Sequence, residues 1–159
     1  MERVDAFKAV LAAAIAVLTA LWGWFGWLVV CWVAFMALDY ITGSAAALRR
    51  GEWSSAAARD GLWHKLGAVV AVLVAGLLDL MVGHILGRFP DAIPLPVQYK
   101  TFLCPLVVVW YILTEAGSIL ENAGKLGAEY PEWLTKAVKA LKNSADKAGM
   151  NVAKGGEKE

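Results

Sequence analysis

No charged side chain occurs between Lys8 and Asp39. This uncharged run exceeds the roughly 20 apolar residues that a helix needs to cross a bilayer core about 30 Å thick. Soluble domains interrupt their apolar residues with charge every few positions and are nearer half apolar. This chain of 159 residues is 59% apolar, with a mean hydropathy of +0.56. The sequence therefore implies an all-α integral membrane protein built around one transmembrane helical domain, residues 1–130.

The run is too long for one straight crossing, and it holds a cluster of Trp22, Gly23, Trp24, Gly26 and Trp27. Indole rings favour the membrane interface, where the ring is buried and the N–H stays wet. Glycine permits a tight turn. The cluster thus reads as an interfacial turn between a first helix at about 5–21 and a second at about 25–48. The first is alanine-rich and barely long enough to span, so three to four transmembrane helices are expected. The other two are expected at about 62–87, with Asp60 as N-cap, and at about 97–123, with Pro105 as an internal kink. Three prolines keep the intervening Arg88–Pro96 segment from being helical.

After Tyr130 the pattern changes. Leu134, Ala137, Val138, Leu141 and Ala145 recur at helical spacing, with lysines mostly on other faces. Residues 131–159 thus read as a basic amphipathic helix followed by a flexible basic tail. Lys136, Lys139 and Lys142 are its expected contacts with an anionic membrane surface.

Basic residues also set the orientation. Of the fifteen, seven follow Asn122, four lie in the Arg49–Lys65 loop, and Arg88–Lys100 has only its two end residues. Loop 49–65 and the C-terminus are therefore expected in the cytoplasm and loop 88–100 outside. The N-terminal charges Glu2, Arg3, Asp5 and Lys8 cancel, which argues against a cleaved signal peptide. Cys31 and Cys104 sit inside apolar runs and read as small hydrophobes rather than as a disulfide or a metal site.

Ionisable residues inside a span are costly and usually face protein or water. Asp39, Asp79, Glu115 and Glu121 are of this kind. Asp79 falls in the row Gly67, Ala71, Ala75, Asp79, Gly83, Gly87, spaced by four, which suits close helix–helix approach either within one protomer or between protomers. Glu115, Ser118 and Asn122 make a polar stripe, and Lys125 is placed to pair with Glu121. His64 reads as interfacial, and His84 lies within a turn or so of Asp79. No nucleophile–base pair, metal constellation, phosphate loop or nucleic-acid signature accompanies them, so neither an enzyme nor a cofactor is expected.

Several segments together resemble a known family. Asp39-Tyr40-Ile41-Thr42-Gly43 closes a tryptophan-rich span. Gly51-Glu52-Trp53-Ser54-Ser55 and Gly61-Leu62-Trp63-His64-Lys65 follow. Later come Thr114-Glu115-Ala116-Gly117-Ser118-Ile119-Leu120-Glu121-Asn122, then Pro131 and a lysine-rich helix. In order and spacing this resembles the phage lysis and toxin-secretion holins, over roughly Trp24 to Leu141. The resemblance implies a homo-oligomer of the bacterial cytoplasmic membrane. It implies lesions that release a wall hydrolase (endolysin) or toxin, with lipid as the other partner. Asp39, Gly43, the small-residue row, Glu115, Ser118, Glu121 and Asn122 are then the candidates for assembly or for the pore wall. Two other classes compete: a small ion channel or proton-coupled transporter using the carboxylates, and, more weakly, an intramembrane lipid enzyme.

The charge asymmetry makes a direct prediction. With Cys31 and Cys104 replaced by alanine, an impermeant thiol reagent added to intact cells should label Ala92→Cys and spare Ser55→Cys. The opposite labelling pattern would invert the topology.

Overall fold

Apolar runs bounded by breakers become helices, and four helices carry nearly all the residues that the structure, a computed structural model, describes: 25–89 and 102–154. These are α1 (Phe25–Arg49), α2 (Ser55–Arg88), α3 (Leu103–Lys125) and α4 (Glu132–Lys154). The first three are long and apolar enough to cross a membrane. The expected helix at 5–21, Trp22, Trp24 and most of the proline segment lie outside the described residues.

α2 starts well before the expected residue 62. Its N-cap is Ser54, whose Oγ accepts from the Ala57 N–H at 3.1 Å, so the Asp60 assignment is corrected. The physical reason is local: a serine cap followed by Ser55 and three alanines propagates a helix, and nothing breaks it before Asp60. At 1.5 Å per residue, the 34 residues of α2 reach about 51 Å. That is well beyond the roughly 35 Å of the 23-residue α3.

α3 starts later than the expected residue 97, which puts Pro105 in its first turn. A first-turn residue has no intrahelical acceptor for its N–H, so proline loses nothing there and the expected kink has no cause. The other end of α3 closes with glycine. Gly127 takes φ +88°, its N–H bonds Gly124 O at 2.9 Å, and Ala128 N–H bonds Ala123 O at 3.0 Å. This is the Schellman arrangement, in which a left-handed residue satisfies carbonyls that the helix leaves open. The Arg49 guanidinium donates to Leu126 O beside it, tying the end of α1 to this turn. α4 continues through Gly149 to Lys154, farther than the polarity of its end suggests.

The packing is inverted relative to a soluble bundle. α3 is central and packs on α1, α2 and α4, while α1 and α2 touch little. The core is small: Trp32, Ala68, Val72, Ala75, Cys104 and the fully enclosed Val108. Trp32 also stacks at a tilt against Tyr111, with ring centroids 5.9 Å apart. Large apolar side chains instead face outward. Leu62, Leu66, Val70, Leu73, Leu77 and Leu80 form an exposed sheath along α2, as expected of a helix whose solvent is lipid.

Asp79 completes the fold. It is 3% exposed, and its carboxylate faces the start of α3. Oδ1 accepts from Leu103 N at 3.0 Å and Phe102 N at 3.4 Å, and Oδ2 accepts from Cys104 N at 2.8 Å. The next residue is Pro105, which has no N–H, and Leu106 N already bonds Phe102 O at 3.2 Å. The open donors of this helix start are thus met by one side chain from a neighbouring helix, which also places a negative charge at the positive end of α3. His84, a turn or so beyond Asp79 in the sequence, is exposed.

Asp79→Leu should therefore destabilise the folded bundle in detergent by at least about 2 kcal/mol, because it strands buried donors. Asp79→Asn, which keeps one acceptor oxygen, should lose less. Denaturant unfolding followed by circular dichroism would check the ranking Asp > Asn > Leu, and equal stability of all three would remove the cap from the account.

Candidate functional site

Each of the three spans carries one charge about ten residues from the same end of the bundle, the end of Arg49, Ser55 and Lys125. These are Asp39 on α1, Lys65 on α2 and Glu115 on α3. Ten residues of helix rise about 15 Å, so the three side chains reach one level, near the middle of the bundle. Lys65 Nζ lies 2.9 Å from Asp39 Oδ2 and 2.6 Å from Glu115 Oε2. The side chains are only 15%, 20% and 11% exposed for Lys65, Asp39 and Glu115, so bulk water screens them little. Asn122 Nδ2 donates to Asp39 Oδ1 at 3.2 Å and approaches Thr42 Oγ1 at 3.5 Å. Thr42 Oγ1 bonds the Leu38 carbonyl at 2.9 Å.

Sequence explains the local fit. Gly43 sits where any Cβ would come 3.3 Å from Asn122 Nδ2, so its bare backbone lets α1 and α3 close on this polar layer. The ammonium supplies what direct α1–α2 packing does not, a bond from each of those helices through the centre. Two carboxylates facing one ammonium leave the cluster short of one positive charge when all are ionised. One wall of the cluster borders a cavity of about 620 Å³ between α1, α2 and α3, lined also by Tyr40, Ser44, Trp53, His64, Trp110 and Ser118. Chemically, this is a hydratable pocket holding a Lys–carboxylate triad inside a membrane-spanning bundle.

The candidates from sequence separate accordingly. Asp39, Gly43, Glu115 and Asn122 meet at the triad, and Ser118 lines the cavity beside it. Ala75 and Asp79 are buried between helices of the same protomer. Ala71 and Gly83 are half-buried, and Gly67 and Gly87 are exposed at the two ends of the row. A row spaced by four drifts about 40° per step, so only its middle faces α3. Val72, which the row leaves on another face, is buried with Ala68 and Ala75. Glu121 is exposed, and among the ion pairs of the described residues it has none with Lys125. Trp27 is exposed in the first turn of α1.

The lysine-rich helix α4 docks antiparallel on α3. Trp110 Nε1 donates to Asp146 Oδ1 at 2.7 Å, and Lys142 Nζ stands 4.1 Å over the same indole ring. Lys136 and Lys139 are exposed. Lys65 is the residue that sequence reasoning missed, because it was counted as a loop cation. The available signal was charge balance: two acids within spans need a cation, and Lys65 is the one basic residue bordering an apolar run at matching depth.

Comparison with known proteins follows the same outline. Residues 16–143 match the model of the bacteriophage holin family. An uncharacterised protein of Halalkalibacterium halodurans is 30% identical over 139 residues, covering 87% of this chain and 93% of its own. One from Clostridium perfringens is 32% identical over 115 residues, 72% and 75% of the two chains. One from Listeria monocytogenes is 32% identical over 107 residues, 67% and 65%. No solved structure matches the chain.

The triad predicts a non-additive mutant series. Lys65→Met leaves two buried carboxylates without their cation and should cost about 3–5 kcal/mol. Adding Asp39→Asn and Glu115→Gln to that variant should restore most of the loss, because neutral amides can share hydrogen bonds. Thermal unfolding in mild detergent would show it. A triple variant as unstable as Lys65→Met alone would mean that the ion pairs do not hold the bundle.

Proposed function

The chain belongs to the bacteriophage holin family, and from that premise we propose that it oligomerises in the bacterial cytoplasmic membrane and opens lesions. These lesions let an endolysin or a toxin leave the cell, and lysis follows. The observation that carries this reading is the polar triad beside an open cavity inside a three-span bundle. A helix wall facing lipid needs no hydratable interior, whereas a wall facing a wet lesion does. The exposed ends of the small-residue row, Gly67 and Gly87, leave room for a second protomer.

The reading assigns no catalytic step to any residue, and cargo would be a passive partner. A proton or cation path through the carboxylates, the competing reading, is opposed by their existing partners. Asp39 and Glu115 already share Lys65, and Asp79 is committed to the start of α3. Such a path would first have to break the bonds that hold the bundle.

The test is cargo size. Induced expression in a bacterium should bring an abrupt, timed loss of viability. The purified protein should release both a small dye and a protein-sized dextran from vesicles of phosphatidylethanolamine and phosphatidylglycerol. Flux of ions alone, with dextran retained and viability lost only gradually, would favour the channel reading instead.

A further inference from the structure

The placement of α4 conflicts with lipid on its far side. Its inner face seats on α3: Ala145 is buried, a Cβ at Gly149 would meet Leu106 Cδ2 at 3.7 Å, and Asp146 and Lys142 engage Trp110. Trp110 is fifteen residues before Lys125, about 22 Å above the inner end of a span. α4 thus runs up α3 through most of the depth that the hydrocarbon core would occupy. Yet α4 is amphipathic and is not among the helices apolar enough to cross a membrane.

Its free face carries a lysine-rich stripe, with Met150 the exposed large apolar residue within it. Lys136, Lys139, Asn143 and Lys147 recur every three or four residues, Lys154 follows about two turns later, and all are exposed. At 100° per residue they fall within about 80° of one another and nearly opposite Ala145. Lys139 and Lys147, which flank the Trp110 level, would be costly against acyl chains. Only water can cover that face, and in a membrane a column of water this tall exists inside an assembly of protomers.

We propose that α4 remains on α3 in the assembled lesion and forms its water-facing wall, so that the lumen is lined by lysines and favours anions. This rests on the lesion-forming reading above and specifies which surface meets the water. It differs from a role as a helix lying on the inner leaflet, where the same lysines would bind anionic headgroups and the Trp110 contacts would be broken.

A reversible lock separates the two. Leu106→Cys and Gly149→Cys are placed in a full-length chain carrying Cys31→Ala and Cys104→Ala. The disulfide should form on mild oxidation in phosphatidylethanolamine–phosphatidylglycerol vesicles. The locked protein should release small dye with no loss relative to the same sample after reduction. In planar bilayers, small openings of the locked protein should be anion-selective, and Lys136→Glu, Lys139→Glu and Lys147→Glu together should shift the reversal potential toward cations. Failure to cross-link, or release that appears only after reduction, would overturn the proposal. So would a locked opening whose reversal potential ignores the three reversals. If the reduced, unmodified chain releases nothing, it is the lesion-forming reading that fails instead.

Discussion

One ammonium group holds this bundle together where hydrophobic packing is thin. In lipid, apolar burial offers little preference for helix over acyl chain, so association relies on close fit and on polar bonds. Lys65 reaches carboxylates on both other spans at one level. α1 and α2 therefore cooperate without packing extensively on each other. Once that level is fixed, Gly43 meets Asn122, Asp79 meets the first turn of α3, and Arg49 meets the turn at Gly127. The polar bonds act as register marks at three heights of the bundle. A one-turn slip of any span would break several together.

Such bonds have a second property. Ion pairs with little exposure are strong while intact and costly when one member is lost. A bundle with a small apolar core and a few high-stakes polar contacts is suited to staying in one arrangement and then changing abruptly. The open cavity beside the triad gives water a place to compete for the same groups.

Much of this architecture was legible in the sequence, and the misses have definite causes. The uncharged runs located the spans, because hydropathy at helix length is a strong signal and lipid leaves few alternatives. The start of α2 was missed because an aspartate at residue 60 looked like a cap, whereas Ser54 already served and the alanines carried the helix on. Pro105 was read as internal because the boundary of α3 depends on Asp79, far away in the chain. Of the small-residue row, Ala75 and Asp79 are buried, and Ala68 and Val72 join them from outside it, because a row spaced by four drifts around the helix. Of the triad, both acids were singled out and the lysine was not. Positive-inside counting treats a cation at a span border as topology alone, and pairing across helices cannot be seen in a linear pattern.

α2 continues nine residues past Asp79, the height at which α3 begins. At 1.5 Å per residue this extension is about 14 Å, and Leu80 and Met81 on it are exposed. A helix longer than the layer around it tilts, thickens the nearby lipid or seeks company, at a fraction of a kcal/mol per ångström of mismatch. Such a chain strains the lipid at its own edge, and in the assembly proposed above two copies side by side would share one strained rim. Sharing it would favour their approach before any side chain of one touches the other. Under that proposal, acyl length would set how crowded the protein must be before copies gather.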